Sequence, residues 1–337
     1  MTARPIEGYR FYAAIRSQPA ELARLLKASE PVDLAAEALG EAKRVFCLGL
    51  GASLHTASVV AGLLGRAAVD ARAWSSADFA HYPPAFTRDD AALVFLDAET
   101  AERTRGAIEA LGRKRSPVVL VGARGAHEAW PLPMGTTVLR TGVEDASTVA
   151  TVAQTASILL AARVADAIAS AAVGDLAAVP EAVEVALGLE DDIESLAHEW
   201  RGKRMLIALG AGPHEPIAHA AATLIASAAG RLASGHSVEE FLSGQQAAFH
   251  DDDAIVAFAS AGAGLGRTRE AVERARGLGR EGAWVSAEAA PRGMLHLAVP
   301  DVGEALASIV QIVPAQLLAG HLATVTDAGD ARGARIP

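Results

Sequence analysis

Four short apolar runs in the first half of the chain, RVFCLGLGA, AALVFLDAE, SPVVLVGAR and GTTVLRTGV, are followed in the second half by RMLIALGAG, DAIVAFASA, GAWVSAE and LHLAVPDVG. Each run is continuous in apolar character, the pattern of a parallel strand covered on both faces. Helical patterns such as LHTASVVAGLLGRA and GRTREAVERARGLG lie between them. The first strands begin at Val45 and Met205 and the second at Leu93 and Ile255, so the halves repeat at offsets of 160 and 162 residues. Strands alternating with helices, in two copies, predict two doubly wound α/β domains.

The surrounding segments follow from local signals. SQPAELARLLKA reads as a leading helix, with Ser17 as N-cap and Pro19 near its start. VPEAVEVALGLEDDIESLAHEW is a polar, amphipathic connection between the halves, and VGEALASIVQIVPAQLLAGHLATVT is a closing helix kinked or broken near Pro314. DAGDARGARIP has turn composition and no periodicity, which predicts a loop or disordered tail. The expected division is an N-terminal helical segment over 1–30, a first domain over 31–180, a linker helix over 181–200, a second domain over 201–323 and a tail over 324–337.

Charge and cysteine content narrow the function. A net charge of −10 and the lack of a Lys/Arg run argue against nucleic acid and against an anionic membrane as partners. Cys47 is the single cysteine, so there is no disulfide framework, and a cytoplasmic setting is expected. Met1 to Arg16 lacks the apolar core of a signal peptide, and no apolar run is read as a membrane span. TASILLAARVADAIASAAVG comes closest, but Arg163, Asp166 and its small residues suit a buried or interface helix.

Taken in order, SQPAEL, GLGASLHTA, SADFAHY, AETAERT, VEDASTVATVAQT, LGAGPHEPIAHAAATL, EEFLSGQ and IVPAQLLAGHLA resemble the tandem sugar isomerase (SIS) family. That family includes the isomerase half of glucosamine-6-phosphate synthase and related phosphosugar isomerases, deaminases and deglycases. The resemblance implies two flavodoxin-like three-layer α/β/α domains, each with a parallel five-stranded sheet. It also implies a sugar or sugar phosphate at the carboxyl ends of the strands, a homodimer, and chemistry that needs no metal or cofactor. The sequence itself holds no persuasive cluster of metal ligands.

The candidate sites in the first half are three turns. After the first strand, Gly51 permits close backbone approach and Ser53 offers a hydroxyl at a helix start, with His55 beyond it as a weak acid–base candidate. The family's phosphate loop, Ser-Gln-Ser-Gly-Glu-Thr, corresponds to Phe95, Leu96, Asp97, Ala98, Glu99 and Thr100. Glu99 and Thr100 match, while three neutral donors are replaced by two apolar side chains and a carboxylate. A carboxylate repels a phosphate dianion, so Asp97 is read either as a helix cap or as an acceptor for sugar hydroxyls or an amino group. Ser147 and Thr148 match the family's Ala-Ser-Thr-Lys stretch, with Val149 in place of the Lys; they line a sugar pocket or cap a helix.

In the second half three catalytic roles look vacant. An ungapped match puts Ser227 where the resemblance implies a catalytic Glu, and Ser243 and Gln245 replace the His and Pro of a ring-opening motif. The tail carries Arg332 and Arg335 but no Lys to meet a sugar carbonyl. Glu240 keeps a family position and is the best acid–base candidate; His236 and His214 are weaker ones. SAGAGLGRTRE, with Ser260, Arg267 and Thr268 at a helix start, suits an anion or is a plain flexible loop. The reading is a phosphosugar or amino-sugar isomerase or deaminase-type protein. The alternatives are a non-catalytic sugar sensor and an inactive partner of an active paralogue.

Overall fold

The computed structural model describes residues 5–97, 99–123, 130–145, 147–277, 279 and 281–326. The tail that carries Arg332 and Arg335 lies outside them, as does Ala98. The chain forms two compact units. The first comprises residues 20–144 and 152–177; the second comprises 1–19, 145–151 and 178–337. The leading helix α1 (Arg10–Leu26) spans the division, and the two helices α7 (Val179–Leu187) and α8 (Glu190–Trp200), read from sequence as one connection, belong to the second unit.

In the first unit, α2 (Val32–Gly40) precedes β1 (Val45–Gly49), α3 (Ala52–Arg66), β2 (Ala71–Ser75), α4 (Ser76–His81), β3 (Ala91–Leu96), α5 (Ala101–Lys114), β4 (Val118–Gly122), β5 (Thr137–Arg140) and α6 (Val152–Ile168). The five strands form one parallel sheet in the order β2-β1-β3-β4-β5. The second unit repeats this with β6 (Leu206–Gly210), α9 (Glu215–Ala229), β7 (Ala233–Ser237), α10 (Val238–Leu242), β8 (Ala254–Phe258), α11 (Leu265–Gly277), β9 (Glu281–Ser286), β10 (Leu295–Ala298) and α12 (Ala307–Val325). Its parallel sheet runs β7-β6-β8-β9-β10, the same order. Every residue of β1, β3, β4, β6 and β8 is buried, as their unbroken apolar runs require.

Two strands have no apolar run to announce them. ARAWS and ASGHS sit at the sheet edges and are only half-buried along most of their length, so burial does not demand apolar residues there. Both end in a serine whose Oγ caps the next helix: Ser75 accepts from Asp78 N at 3.3 Å and Ser237 from Glu240 N at 3.2 Å.

The duplication extends to ion pairs with buried carboxylates at the opposite end of the strands. Asp90, 1% exposed, takes both prongs of Arg44 at 2.9 and 3.0 Å. Asp253, fully buried, takes those of Arg204 at 3.0 and 2.6 Å. Each pair fastens the segment leading into the first strand of the repeat, β1 or β6, to the residue before its neighbour, β3 or β8.

The helix ends differ from expectation. α1 begins at Arg10, not at a Ser17 cap, and it runs through Pro19. Pro19 has no N–H for the Ile15 carbonyl, but the side-chain amide of Gln18 donates to that carbonyl at 3.0 Å and so restores its partner. The same amide donates to Gln316 Oε1 at 2.8 Å, within the second unit. α12 is likewise one continuous helix through Pro314. It is long and apolar enough to cross a membrane by length and composition, which the sequence reading had not credited to this segment, and all its residues from Ala307 to Ala323 are buried in the protein.

Candidate functional site

In each unit the strand order reverses between β1 and β3, or between β6 and β8, and open α/β sheets bind ligands at the carboxyl ends beside such a point. The two turns there are built alike. A Cβ on Gly49 would lie 2.1 Å from the Ser53 carbonyl oxygen, and one on Gly210 would lie 2.1 Å from that of His214. Gly51 and Gly212 follow with φ of 63° and 54°. Only glycine permits so tight a fold of the next helix onto the strand end. By strand register Ser53 and His214 are equivalent, and so are Asp97 and Ser260.

In the first unit the turn is closed by the carboxylate. Asp97 Oδ1 accepts the Thr100 N–H at 2.8 Å and Oδ2 lies 3.3 Å from Ser53 Oγ. Ser53 Oγ also accepts from Leu50 N at 3.0 Å and lies 2.9 Å from the Leu50 carbonyl. Asp97 therefore bridges the two turns and occupies an N–H just ahead of α5, where an anion would otherwise be received. Thr100 Oγ1 is buried beside it with no hydrogen-bond partner among the described residues, and Glu99 is exposed. Phe95 and Leu96 belong to β3 and are buried in the core. Gly51 is exposed, and His55 lies half-buried on α3. Cys47 is fully buried in β1, and burial pushes its thiol far up, so it stays a thiol.

In the second unit the equivalent bridge is His214 Nε2 to Ser260 Oγ at 2.8 Å, both residues buried. Burial pushes the His214 pKa down, against the Glu304 carboxylate and the Gln311 amide, which favour its charged form. Gln311 adjoins the ring from α12 and donates to the Ala259 carbonyl at 2.6 Å. Ser308 Oγ is buried without a hydrogen-bond partner among the described residues, while the Gln311 side chain also pairs with the His214 ring. Sequence reasoning named His214 and Ser260 separately and missed Glu304, Ser308 and Gln311. Their 4- and 3-residue spacing, three polar residues along one stripe of an apolar helix and its lead-in, was the available signal.

The remaining candidates are scattered. Arg267, expected to meet an anion, is bidentate to Glu239 at 2.7 Å on both prongs and also pairs with Glu270, so its charge is already matched by carboxylates. Thr268 is buried with its hydroxyl returned to the Gly264 carbonyl at 2.9 Å. Ser147 Oγ accepts from Val149 N at 3.2 Å, and Thr148 is exposed ahead of α6. Glu240 is exposed on α10. His236 bonds Ser234 Oγ at 2.7 Å across its Nε2 and packs against Phe249, and burial lowers its pKa while Glu240 opposes that shift. Ser227, at the far end of α9, donates to the Leu224 carbonyl at 3.2 Å. Ser243 and Gln245 are exposed after α10.

Comparison with known proteins places this architecture. No family model matches the chain. Over 155 residues, 44% of the chain, it is 28% identical to the glutamine–fructose-6-phosphate aminotransferase (isomerizing) of Zymomonas mobilis; the match covers 26% of that protein, so the chain spans about a quarter of the curated relative's length. Among solved structures, the C-terminal domain of glucosamine-fructose-6-phosphate aminotransferase from Francisella tularensis superposes with a TM-score of 0.84 at 17% identity, covering 96% of this chain and 99% of that one. The tagatose-6-phosphate ketose/aldose isomerase of Escherichia coli gives a TM-score of 0.81 at 16% identity over 98% and 96%. The chain has the fold of the SIS-domain phosphosugar isomerases and resembles them in sequence.

Proposed function

We propose that this protein binds a small carbohydrate derivative of the phosphosugar or amino-sugar class, with any turnover of isomerase or deaminase type. The Ser53–Asp97 bridge at the reversal point of the first sheet carries the reading. A carboxylate there, with a buried Thr100 hydroxyl that lacks a partner among the described residues, is suited to sugar hydroxyls or an amine and unsuited to a phosphate dianion. The reading takes each unit as a flavodoxin-like sandwich, and it includes a homodimer and a cytoplasmic setting.

A second reading, a sugar sensor without turnover, is supported by Ser227. At the position where the resemblance implies a proton-transferring Glu, its hydroxyl donates to the Leu224 carbonyl of its own helix at 3.2 Å and has no useful acid–base pKa.

Calorimetric titration with fructose-6-phosphate against fructose, and glucosamine-6-phosphate against glucosamine, tests both. Free sugars binding as well as their phosphates support Asp97 as a hydroxyl or amine reader. Binding of the phosphates alone refutes that role, and absence of any binding refutes the function. Ketose–aldose interconversion of a bound sugar, followed by NMR, would exclude the sensor.

A further inference from the structure

Strand β7 is the outermost strand on one side of the second sheet, and two of its side chains share a face. Successive residues of a strand point to opposite faces, so Ser234 and His236 lie together and Gly235 faces the other way. A Cβ on Gly235 would lie 2.5 Å from His219 Cα, so α9 presses directly on the strand from that side. The opposite face carries a hydrogen-bonded chain. Ser234 Oγ lies 2.7 Å from His236 Nε2, and the Gln245 side chain bonds the same ring.

One short segment holds the imidazole in place. Gln245 opens the helical turn Gln245–Ala248, and the next residue, Phe249, packs its ring against His236 with centroids 5.7 Å apart. Phe249 is in turn stacked on the fully buried Phe241 at 5.5 Å. The bond to Gln245 favours the charged ring, which is the effect of an amide oxygen accepting a ring N–H. With that proton on Nδ1, Nε2 presents a lone pair to the Ser234 hydroxyl. Burial lowers the His236 pKa, Glu240 on α10 opposes the shift, and His219 on α9, which lies 3.7 Å from Glu215, adds to it. The ring is therefore neutral at pH 7. A hydroxyl set on a neutral imidazole that a third group orients is the arrangement of an activated nucleophile.

The strand also supplies a donor. Leu206 pairs with Ala233 and its N–H reaches the Leu232 carbonyl, so by the parallel ladder the amides of Ser234 and His236 turn toward β6. The Gly235 N–H, directly after Ser234, faces the outer edge of the sheet. Ser234, Gly235 and His236 are each half-buried, within reach of a small molecule at that edge.

We propose that Ser234 is a nucleophile toward short carboxylic esters, with His236 as its general base and Gln245 as the residue that positions the ring. Ser234 Oγ bonds to the acyl carbon as its proton passes to His236 Nε2, and the Gly235 N–H receives the oxyanion. The ester C–O bond then breaks, and the departing alcohol takes the proton from Nε2. Water repeats the sequence on the acyl-serine, so that the acid leaves and Ser234 is restored. Every group involved belongs to the second unit, and the carbohydrate site proposed in the first takes no part.

A fluorophosphonate and p-nitrophenyl acetate, each with the full chain, are the probes. The fluorophosphonate should add to Ser234, read by mass spectrometry of the peptides. Ser234→Ala and His236→Ala should each lower kcat/KM for the acetate by at least about 100-fold. In the unsubstituted protein kcat/KM should rise with pH through a midpoint below about 6.5, as His236 loses its proton. Gln245→Ala should move that midpoint further down and lower kcat more than it raises KM, whereas Gln245→Glu should move it up. A protein that melts cooperatively yet takes no probe at Ser234, or ester hydrolysis that survives Ser234→Ala, overturns the proposal. Labelling undiminished in His236→Ala refutes His236 as the base.

Discussion

Replacing Asp97 with Asn separates its two roles, because Asn caps about as well as Asp but carries no charge. The amide oxygen can still accept the Thr100 N–H that Asp97 Oδ1 takes at 2.8 Å, and Ser53 keeps its bonds to Leu50. Stability should therefore change by no more than about 0.5 kcal/mol, whereas Asp97→Ala, losing the bond to Thr100, should cost about 1 kcal/mol. The effect on ligand choice is larger. Two like unit charges about 4 Å apart repel by roughly 1 kcal/mol in bulk water and roughly 4 kcal/mol at an effective dielectric of about 20. Asp97 is half-buried, between these limits. Asn should then raise the affinity for a phosphorylated sugar, relative to the same free sugar, by roughly 5-fold to 1,000-fold. Calorimetric titration of both proteins with glucosamine-6-phosphate and glucosamine, beside thermal melts, reads both numbers. An unchanged ratio of the two affinities in a variant that melts normally would refute the charge argument and leave Asp97 as a cap alone.

Two further outcomes follow from buried polar groups. The Arg44 guanidinium, with help from the Thr87 N–H and against the cost of burial, holds the Asp90 carboxyl below the usual carboxylate range. The stability this gives is complete above the unfolded carboxylate pKa of about 4 and fades as pH falls through the depressed native value. Arg44→Ala should thus lower the urea denaturation midpoint at pH 7, with the gap to the parent protein narrowing below about pH 4. In α1, Gln18→Ala should cost roughly 2–4 kcal/mol, since it strips the Ile15 carbonyl and Gln316 Oε1 of a donor. With Pro19→Ala also present an N–H returns to Ile15, so a double-mutant cycle should show a smaller loss; a purely additive cycle would mean that Gln18 does not compensate for the proline.

The duplication, the buried central strands and the position of each turn at a strand end were legible in the sequence. They depend on local pattern: a strand buried on both faces must be apolar throughout, and the turns after β1 and β6 need glycine wherever the next helix folds back onto the strand. The half-exposed edge strands β2 and β7 escaped notice because burial puts no such demand on ARAWS and ASGHS. Pro19 suggested a helix start, since the amide that replaces its missing N–H comes from a neighbour whose conformation the sequence does not reveal.

Tertiary structure alone decided which chemistry each turn can perform. Arg267 looked ready for an anion until the fold brought Glu239, 28 residues earlier, onto its guanidinium. His214 met Ser260 across 46 residues and Gln311 across a still longer interval, and Glu304 came to rest on Gly262. Local sequence dictates backbone shape because sterics act between neighbours. The partner that satisfies or neutralises a polar side chain is chosen by packing, and here it came from another element of the same unit.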